Sequence, residues 1–237
     1  MKLIIKSDCG KAVHSTKEWE VLCPPLGQSD QWVDYRSAKE LAKSVFDTGT
    51  FSKVVNEVLS DMNIPLPSEM YGVPEKPTTL PWGQSGKRKH DLWLYNKQSN
   101  IAVSIEAKTD ESFDRKLSQK KATSKKKNSD GGFNMNARLD GILDYIYQGK
   151  PPRYNGDLHY QLLSATAGAI LEAKSKCISR VAVIFLVFKS NMLSKRKLNT
   201  NEKAWELFCD SLKLKYSGGT ILRDDVNCYI TKKEIQL

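Results

Sequence analysis

Apolar and polar side chains alternate along two short stretches near the middle of the chain, His90–Tyr95 and Ile101–Lys108. Successive side chains of a strand point to opposite faces, so this alternation predicts two strands. The segment between them, Asn96–Asn100, is polar and turn-prone, which predicts a hairpin. On the second strand the isoleucines and the valine share one face, and Glu106 and Lys108 share the other.

Elsewhere the apolar residues recur at the spacing of helices. Two capping boxes, Ser15–Glu18 and Ser37–Glu40, predict helix starts. Small residues fill the middle of a later helix, which predicts close packing against a sheet or another helix. The remaining predicted helices span Phe51–Met62, Ala137–Tyr147, Leu158–Lys176 with Asp157 as its cap, and about Asn201–Leu212.

Three further strands are predicted at Met1–Ser7, Arg180–Phe188 and Asn227–Ile235. The second is almost continuously apolar, as expected for a central strand covered on both faces. The stretch Ile64–Gly86 holds most of the prolines and predicts an irregular connection. A strand before the hairpin is expected but not evident; either that stretch or Met1–Ser7 could supply it. The order of elements predicts an α/β (α+β) fold with a central mixed sheet flanked by helices.

A lysine-rich segment, Arg115–Lys127, has almost no apolar residues and predicts a basic helix or a mobile loop that cannot join the core. We expect one domain over residues 1–237, with an N-terminal helical portion (about 1–63) and a basic insertion (about 115–132). Six lysines are expected to bind phosphate groups of a nucleic acid: Lys116, Lys120, Lys121, Lys125, Lys126 and Lys127.

Composition narrows the class of protein. The 237 residues are 40% hydrophobic, enough for a folded core, and carry a formal net charge of +10. An excess of basic over acidic residues favours polyanionic partners. Because the sequence shows no basic amphipathic helix, nucleic acid is favoured over a membrane surface. No apolar run is long enough to span a bilayer. Five irregularly spaced cysteines and three scattered histidines argue for a reducing, cytoplasmic setting and against a zinc site.

The hairpin would bring Asp91 close to Glu106 and Lys108. Two carboxylates supply hard oxygen ligands for Mg²⁺, which Mn²⁺ can replace, and an ammonium can contact a water or a phosphate oxygen. Such a metal stabilises charge on a phosphate and lowers the pKa of an attacking water. An ordinary Glu–Lys pair on a strand is the alternative, because E-x-K occurs often by chance.

The spacing Asp91-x14-Glu106-x-Lys108 resembles the PD-(D/E)XK phosphodiesterase superfamily, the restriction-endonuclease-like nucleases. The stretches Ser104–Phe113 and Tyr160–Gly168 also resemble a group of bacterial members. The proline of the motif is absent, since His90 precedes Asp91. The resemblance implies a restriction-endonuclease-like core, catalytic Asp91, Glu106 and Lys108, and a metal held by Asp91, Glu106 and the carbonyl of Ala107.

The resemblance also suggests accessory residues. Nucleases of this class often recruit an acidic residue from an early helix, here Glu40 or Glu57, although periodicity favours solvated glutamates. Glu111 could support the site or cap a helix. Gln161 distantly resembles the glutamine of RecB-type nucleases, with a water-facing side chain as the alternative. His90 is expected to point away from Asp91.

The expected function is therefore a Mg²⁺-dependent endonuclease that acts on DNA rather than RNA, in restriction or phage defence. The alternative is a non-catalytic nucleic-acid-binding module or complex subunit on the same fold. A two-fold homodimer would suit double-strand cutting.

Overall fold

The computed structural model describes residues 1–25, 32–83, 86–109, 111–125, 134–190 and 195–237. Lys126 and Lys127 of the basic segment lie outside the described residues, as does the side chain of Lys125.

The described residues form a mixed seven-stranded sheet in the order β1-β2-β3-β4-β5-β7-β6. The strands are β1 (Lys2–Ile5), β2 (Glu69–Thr79), β3 (Lys87–Asn96), β4 (Ile101–Lys108), β5 (Arg180–Lys189), β6 (Gly219–Arg223) and β7 (Val226–Gln236). Strands β2, β3 and β4 are antiparallel neighbours, and β6 is antiparallel to β7. The pairs β1–β2, β4–β5 and β5–β7 are parallel. The expected α+β fold with a mixed sheet is confirmed.

Helices cover both faces of this sheet. They are α1 (Thr16–Leu22), α2 (Ser37–Phe46), α3 (Thr50–Asp61), α4 (Leu117–Lys125), α5 (Met135–Tyr147), α6 (Tyr160–Ser175) and α7 (Lys195–Leu212), with a short 3-10 helix at Asn155–Asp157. No helix among the described residues is long and apolar enough to cross a membrane.

Two apolar clusters bury the two faces of the sheet. On one face the helices α1 to α3 pack against Leu92, Leu94 and the alternating apolar residues of β4. On the other face α5, α6 and α7 pack around Trp93 and Phe185. Strand β4 is therefore buried on both faces along its whole length. The alternation in its sequence predicts burial of one face only.

The irregular connection predicted over the proline-rich stretch is wrong for Glu69–Thr79, where β2 runs. The strand expected before the hairpin therefore lies in this stretch, one of the two places considered for it. Pro74 and Pro77 lie within β2, but β1 pairs with β2 only as far as Gly72. Beyond Gly72 the outer side of β2 is an edge, where a missing N–H costs no ladder hydrogen bond.

Of the three predicted helix caps, one is confirmed and two differ from the structure. Ser15 does cap α1 by accepting a hydrogen bond from Glu18 N. Ser37 instead lies inside α2, with Arg36 at the N-cap, and its hydroxyl donates to Glu111. Asp157 falls in the 3-10 helix, and α6 begins after His159.

The basic segment does join the core, contrary to expectation. Leu117, the first residue of α4, is fully buried in the cluster beneath α5 and α6. Leu117 anchors the start of the helix by its burial and by its N–H, which donates to the Leu158 carbonyl at 2.9 Å, whereas the rest of α4 is largely polar.

Candidate active site

The β3–β4 hairpin brings the predicted triad together. The ladder between the two strands ends at the pair Leu92–Ile105, and Asp91 and Glu106 are the next residues on their strands. One carboxylate oxygen of Asp91 accepts a hydrogen bond from the Ala107 N–H at 2.7 Å. Lys108 Nζ donates to Glu106 Oε1 at 2.9 Å and to the Ala107 carbonyl at 2.8 Å. The carbonyl expected to bind a metal thus accepts from the lysine here.

Glu106 is the centre of the site, and both of its carboxylate oxygens are occupied. Its Oε2 pairs with the guanidinium of Arg88, and its Oε1 accepts from Lys108 and from the side-chain amide of Gln161. The Glu106 residue is only 2% exposed. Burying a carboxylate costs stability unless it is paired and hydrogen-bonded in this way. Gln161 therefore reaches the site from α6 and does not simply face water.

Arg88 is held in place from two sides. Its Nη1 lies 2.8 Å from His90 Nδ1, while its stem passes under α6 at Gly168. A Cβ added to Gly168 would come within 2.9 Å of the Arg88 Cδ. The small residues of α6 thus let the helix lie close enough to the sheet to enclose this arginine.

A buried polar chain continues from Arg88 into the interior. Thr78 Oγ1 donates to Glu172 at 2.8 Å and lies 2.9 Å from His90 Nε2. Because the hydroxyl has one proton, His90 must donate through Nε2, and Nδ1 then accepts from Arg88 and from Ser104 Oγ. Burial, together with the nearby Arg88 and Lys76, holds the pKa of His90 well below its usual value, so the ring is neutral.

His90, which was expected to point away from Asp91, is joined to the site through Arg88, whose Nη1 lies 2.8 Å from His90 Nδ1. The ring centroids of His90 and Trp93 lie 5.2 Å apart, although the residues are three positions apart. Strict alternation would place them on opposite faces, so the alternation of β3 shifts by one residue between them. Across from this point, Glu75 has a φ of 51°, and the β2–β3 ladder passes from Pro74 to Lys76 without pairing it.

Carboxylates crowd this part of the sheet. Burial raises the pKa of Asp91 to about 8, with the negative charges of Glu106 and Glu75 adding to the effect and Lys108 opposing it. Burial also raises the pKa of Glu75, although its ion pair with Lys89 at 3.3 Å opposes this. A cation placed between Asp91 and Glu106 would relieve the repulsion.

Lys108 is a charged group and not a proton acceptor at neutral pH. Burial alone would lower its pKa, but Glu106 and Asp91 outweigh burial and raise it. The ammonium can therefore stabilise negative charge on a phosphate or a hydroxide. It is not suited to remove a proton from water while these two carboxylates face it.

A shallow cleft of about 530 Å³ opens beside Glu106 and Gln161. Four of the six charged residues that line it are basic, Lys87, Arg88, Lys89 and Arg138, and two are acidic, Glu106 and Asp114. Glu106 is thus a carboxylate at a cleft with a cationic lining, an arrangement that suits an anionic chain whose backbone must approach a metal.

The donor set fits magnesium better than zinc. Within the described part of the chain, no group of three or more His, Cys, Asp and Glu side chains is arranged to hold a metal ion. Mg²⁺ commonly uses one or two carboxylates and keeps several waters. Asp91, Glu106 and the Ala107 carbonyl would provide this, after Lys108 and Arg88 release the oxygens they now contact.

The other predicted accessory residues have different partners. Glu111 joins the end of β4 to α2, accepting from Thr109 N at 2.9 Å and from Ser37 Oγ at 3.1 Å. Glu40 is 5% exposed and not solvated; it accepts from Tyr35 N and pairs with Lys43. The Glu57 side chain is 64% exposed and pairs with Lys233 on β7.

The described lysines of the basic segment are paired within the chain. Lys116 contacts Asp157 at 2.9 Å and Lys121 contacts Asp140 at 2.6 Å. Lys120 contacts Asp114 at 2.6 Å and lies 4.3 Å from the ring centre of Tyr160, which borders the cleft. Of these three lysines, Lys120 is the one whose partners, Asp114 and Tyr160, both line the cleft.

Comparison with known families adds one finding. The model of a family described as Domain of unknown function (DUF6946) matches residues 12–236, nearly the whole chain. The chain belongs to this family. No curated protein and no solved structure matches it. The matched range includes every residue of the candidate site in this DUF6946 chain, but the family description gives no function for those residues.

Sequence reasoning missed Arg88 and Glu75. Arg88 and His90 are polar residues two apart in a strand with a buried face, a signal that they share an environment. Glu75 lies between prolines in a stretch expected to be irregular. No sequence signal indicates the positive φ that accompanies its position beside Asp91.

Proposed function

We propose that this protein is a metal-dependent nuclease that hydrolyses phosphodiester bonds of DNA. The observation that carries the proposal is the convergence of Asp91, Glu106 and Lys108 at one end of a hairpin beside a basic cleft. The antiparallel β2–β3–β4 unit, followed by α6 and the parallel strand β5, is in keeping with the resemblance to the PD-(D/E)XK nucleases.

Each residue has a role that its surroundings support. Asp91 and Glu106 would hold Mg²⁺, with the Ala107 carbonyl as a further oxygen ligand. When bound, the metal supplies charge stabilisation at the phosphate and a more acidic water. Lys108 remains protonated and orients the water or a phosphate oxygen, while Gln161 fixes the rotamer of Glu106 through its amide. Lys87 and Lys89 would attract the nucleic-acid backbone into the cleft.

A non-cleaving nucleic-acid-binding module is the second candidate. The observation that favours it is the complete pairing of Glu106 by Arg88, Lys108 and Gln161. If these contacts persist in solution, the cleft can bind a backbone while its carboxylate never accepts a metal.

Cleavage of supercoiled plasmid by the purified protein separates the two. We expect nicked or linear product with Mg²⁺ or Mn²⁺, none with EDTA, and none from Glu106→Gln under any condition. Glu57→Gln is the matched control, because it makes the same change at an exposed glutamate outside the site. A parallel reaction with structured RNA tests the preference for DNA. Binding of the duplex without cleavage in Mg²⁺ or Mn²⁺ would favour the second candidate.

A further inference from the structure

Arg88 is not part of the Asp91, Glu106 and Lys108 motif, yet it contacts the central carboxylate of the candidate site directly. Its guanidinium pairs with Glu106 Oε2, while Lys108 takes Oε1. Both cations are nearly inaccessible, with side chains 7% and 8% exposed. Both carboxylate oxygens of Glu106 are therefore already paired with cations of the chain, and a metal would have to compete with these cations for either oxygen.

Four residues position Arg88. Gly168 leaves room for its stem. The neutral ring of His90 presents a lone pair to Nη1, and Thr78 and Glu172 fix that tautomer. A buried network of this kind holds a charged group in one geometry. Arg88 also lines the cleft, so a rotation of its terminal group would be enough to reach an anion there.

The charges at the site favour such an exchange. Once Asp91 is ionised, as metal binding requires, the carboxylates of Asp91 and Glu106 balance the two cations, Arg88 and Lys108. A divalent metal added to this set leaves two positive charges in excess in a poorly solvated place. Movement of the guanidinium from Glu106 to a phosphodiester would place one of these charges against a matching anion.

We propose that Arg88 is an internal cation that competes with the metal for Glu106 and, when displaced, binds a phosphate of the nucleic acid in the cleft. Metal loading and nucleic-acid binding are then coupled through one side chain, and each strengthens the other by the same factor. This inference rests on the proposed metal-dependent function, since Glu106 is the shared ligand.

The first measurement is the affinity of the protein for Mn²⁺ alone, by titration calorimetry at fixed ionic strength. Arg88→Met removes the competitor and should tighten Mn²⁺ binding by about fivefold or more, in line with common coupling energies. Lys89→Met is the charge-matched control: it removes a neighbouring cation that pairs with Glu75 and not with Glu106, so its effect should be much smaller. Melting curves verify that each variant folds.

Gly168→Ala provides a second variant that changes no charge. Its new methyl group would crowd the Arg88 stem, push the guanidinium from Glu106, and tighten Mn²⁺ binding in the same direction. If either folded Arg88 or Gly168 variant binds Mn²⁺ no more tightly than the unaltered protein, Arg88 is structural and the competition is refuted.

The second measurement is binding of a labelled DNA duplex by stopped-flow anisotropy, before cleavage accumulates. The unaltered protein should bind the duplex several-fold more tightly in Mn²⁺ than in EDTA, and Arg88→Met should lose most of that gain. An equal gain in both proteins overturns the phosphate-binding role.

The Mn²⁺ titrations distinguish failure of the Arg88 competition from failure of the proposed metal-dependent function. Mn²⁺ binding by Arg88→Met but not by the unaltered protein supports the competition. Mn²⁺ binding by both with equal affinity refutes the competition but leaves the proposed metal site intact. Mn²⁺ binding by neither protein refutes the metal site itself.

Discussion

The two faces of β4 are equally buried and chemically opposite. One face carries Ile101, Val103 and Ile105 and packs against α2 and α3. The other carries Ser104, Glu106 and Lys108, of which Glu106 bonds to Gln161 of α6 and lines the cleft. The first face stabilises the fold by removing apolar surface from water, whereas the second must satisfy each polar atom to avoid a loss of stability.

The largest expected effect is the loss of DNA cleavage when residues of the polar face of β4 are replaced. Glu106→Ala and Lys108→Ala should each lower DNA cleavage by at least about a hundredfold, because each removes a group expected to act on the transition-state charge. Both variants keep the apolar clusters, but Glu106→Ala should melt lower, because it leaves the buried Arg88 and Lys108 without their carboxylate. Cleavage is therefore compared at a temperature where each variant is folded. Plasmid cleavage in Mg²⁺ and circular-dichroism melting check this. Full activity of Lys108→Ala would disprove the mechanism.

The apolar face should show the reverse behaviour. Ile105→Ala leaves a cavity in a fully buried position and should lower the free energy of unfolding by about 2–5 kcal/mol. Cleavage at a temperature where the variant remains folded should be close to that of the unaltered protein. Urea denaturation supplies the first number and the plasmid assay the second. A loss of cleavage without a loss of stability would mean that the two faces are not separable.

Asp91→Asn should stabilise the metal-free protein at neutral and mildly alkaline pH. The pKa of Asp91 is raised from 3.8 to about 8, so between these values the folded state binds more protons than the unfolded state. Its contribution to the free energy of unfolding therefore falls as pH rises through this range. Asn removes that fall and keeps an acceptor for the Ala107 N–H, giving a gain of about 1 kcal/mol or more at pH 8.

Melting in EDTA at a series of pH values tests this, with fixed ionic strength. The unaltered protein should also melt higher in Mn²⁺ than in EDTA, since a metal bound only by the folded state raises its stability. Asp91→Asn should lose both most of that increase and all cleavage. If Asp91→Asn unfolds the metal-free protein, Asp91 is a structural hydrogen-bonding residue and not a metal ligand.

The smallest effect is expected outside both faces, in the basic segment. Changing Lys125, Lys126 and Lys127 to Ser should weaken all DNA sequences alike and reduce the slope of log K against log salt by about 0.9 for each phosphate that these lysines neutralise. Lys116→Ser should change the slope less, because Asp157 already partners that lysine. Binding isotherms at several salt concentrations give the slopes. An unchanged slope in the triple variant would mean that these lysines do not bind DNA.

The apolar face could be predicted from the sequence and much of the polar face could not. Alternation over β4 and the turn before it are local patterns, so the hairpin and the approach of Asp91 to Glu106 follow from neighbouring residues. Strand β2 could not be predicted in this way because its prolines are tolerated only where β1 has ended, a fact of tertiary pairing.

The network around Arg88 depends on events distant in sequence. It requires the shift in alternation between His90 and Trp93 and the close approach of α6 at Gly168. Neither has a signature in β3 itself. The small residues of α6 do predict close packing, but they do not indicate which side chain that packing encloses.

The connectivity of the sheet has a consequence for the order of folding. In β1, Lys2 pairs in parallel with Glu69, whereas β3 and β4 are joined by a tight turn. Short loops close with less entropic cost than long ones, so the hairpin should form early and the N-terminal edge late.

Asp91 and Glu106 would then meet before most of the core exists. Their repulsion acts on the barrier to folding as well as on the final state. Removing it with Asp91→Asn should therefore speed refolding in EDTA more than it slows unfolding, in stopped-flow experiments. The two residues proposed to hold the metal would thus also set how fast the metal-free chain folds.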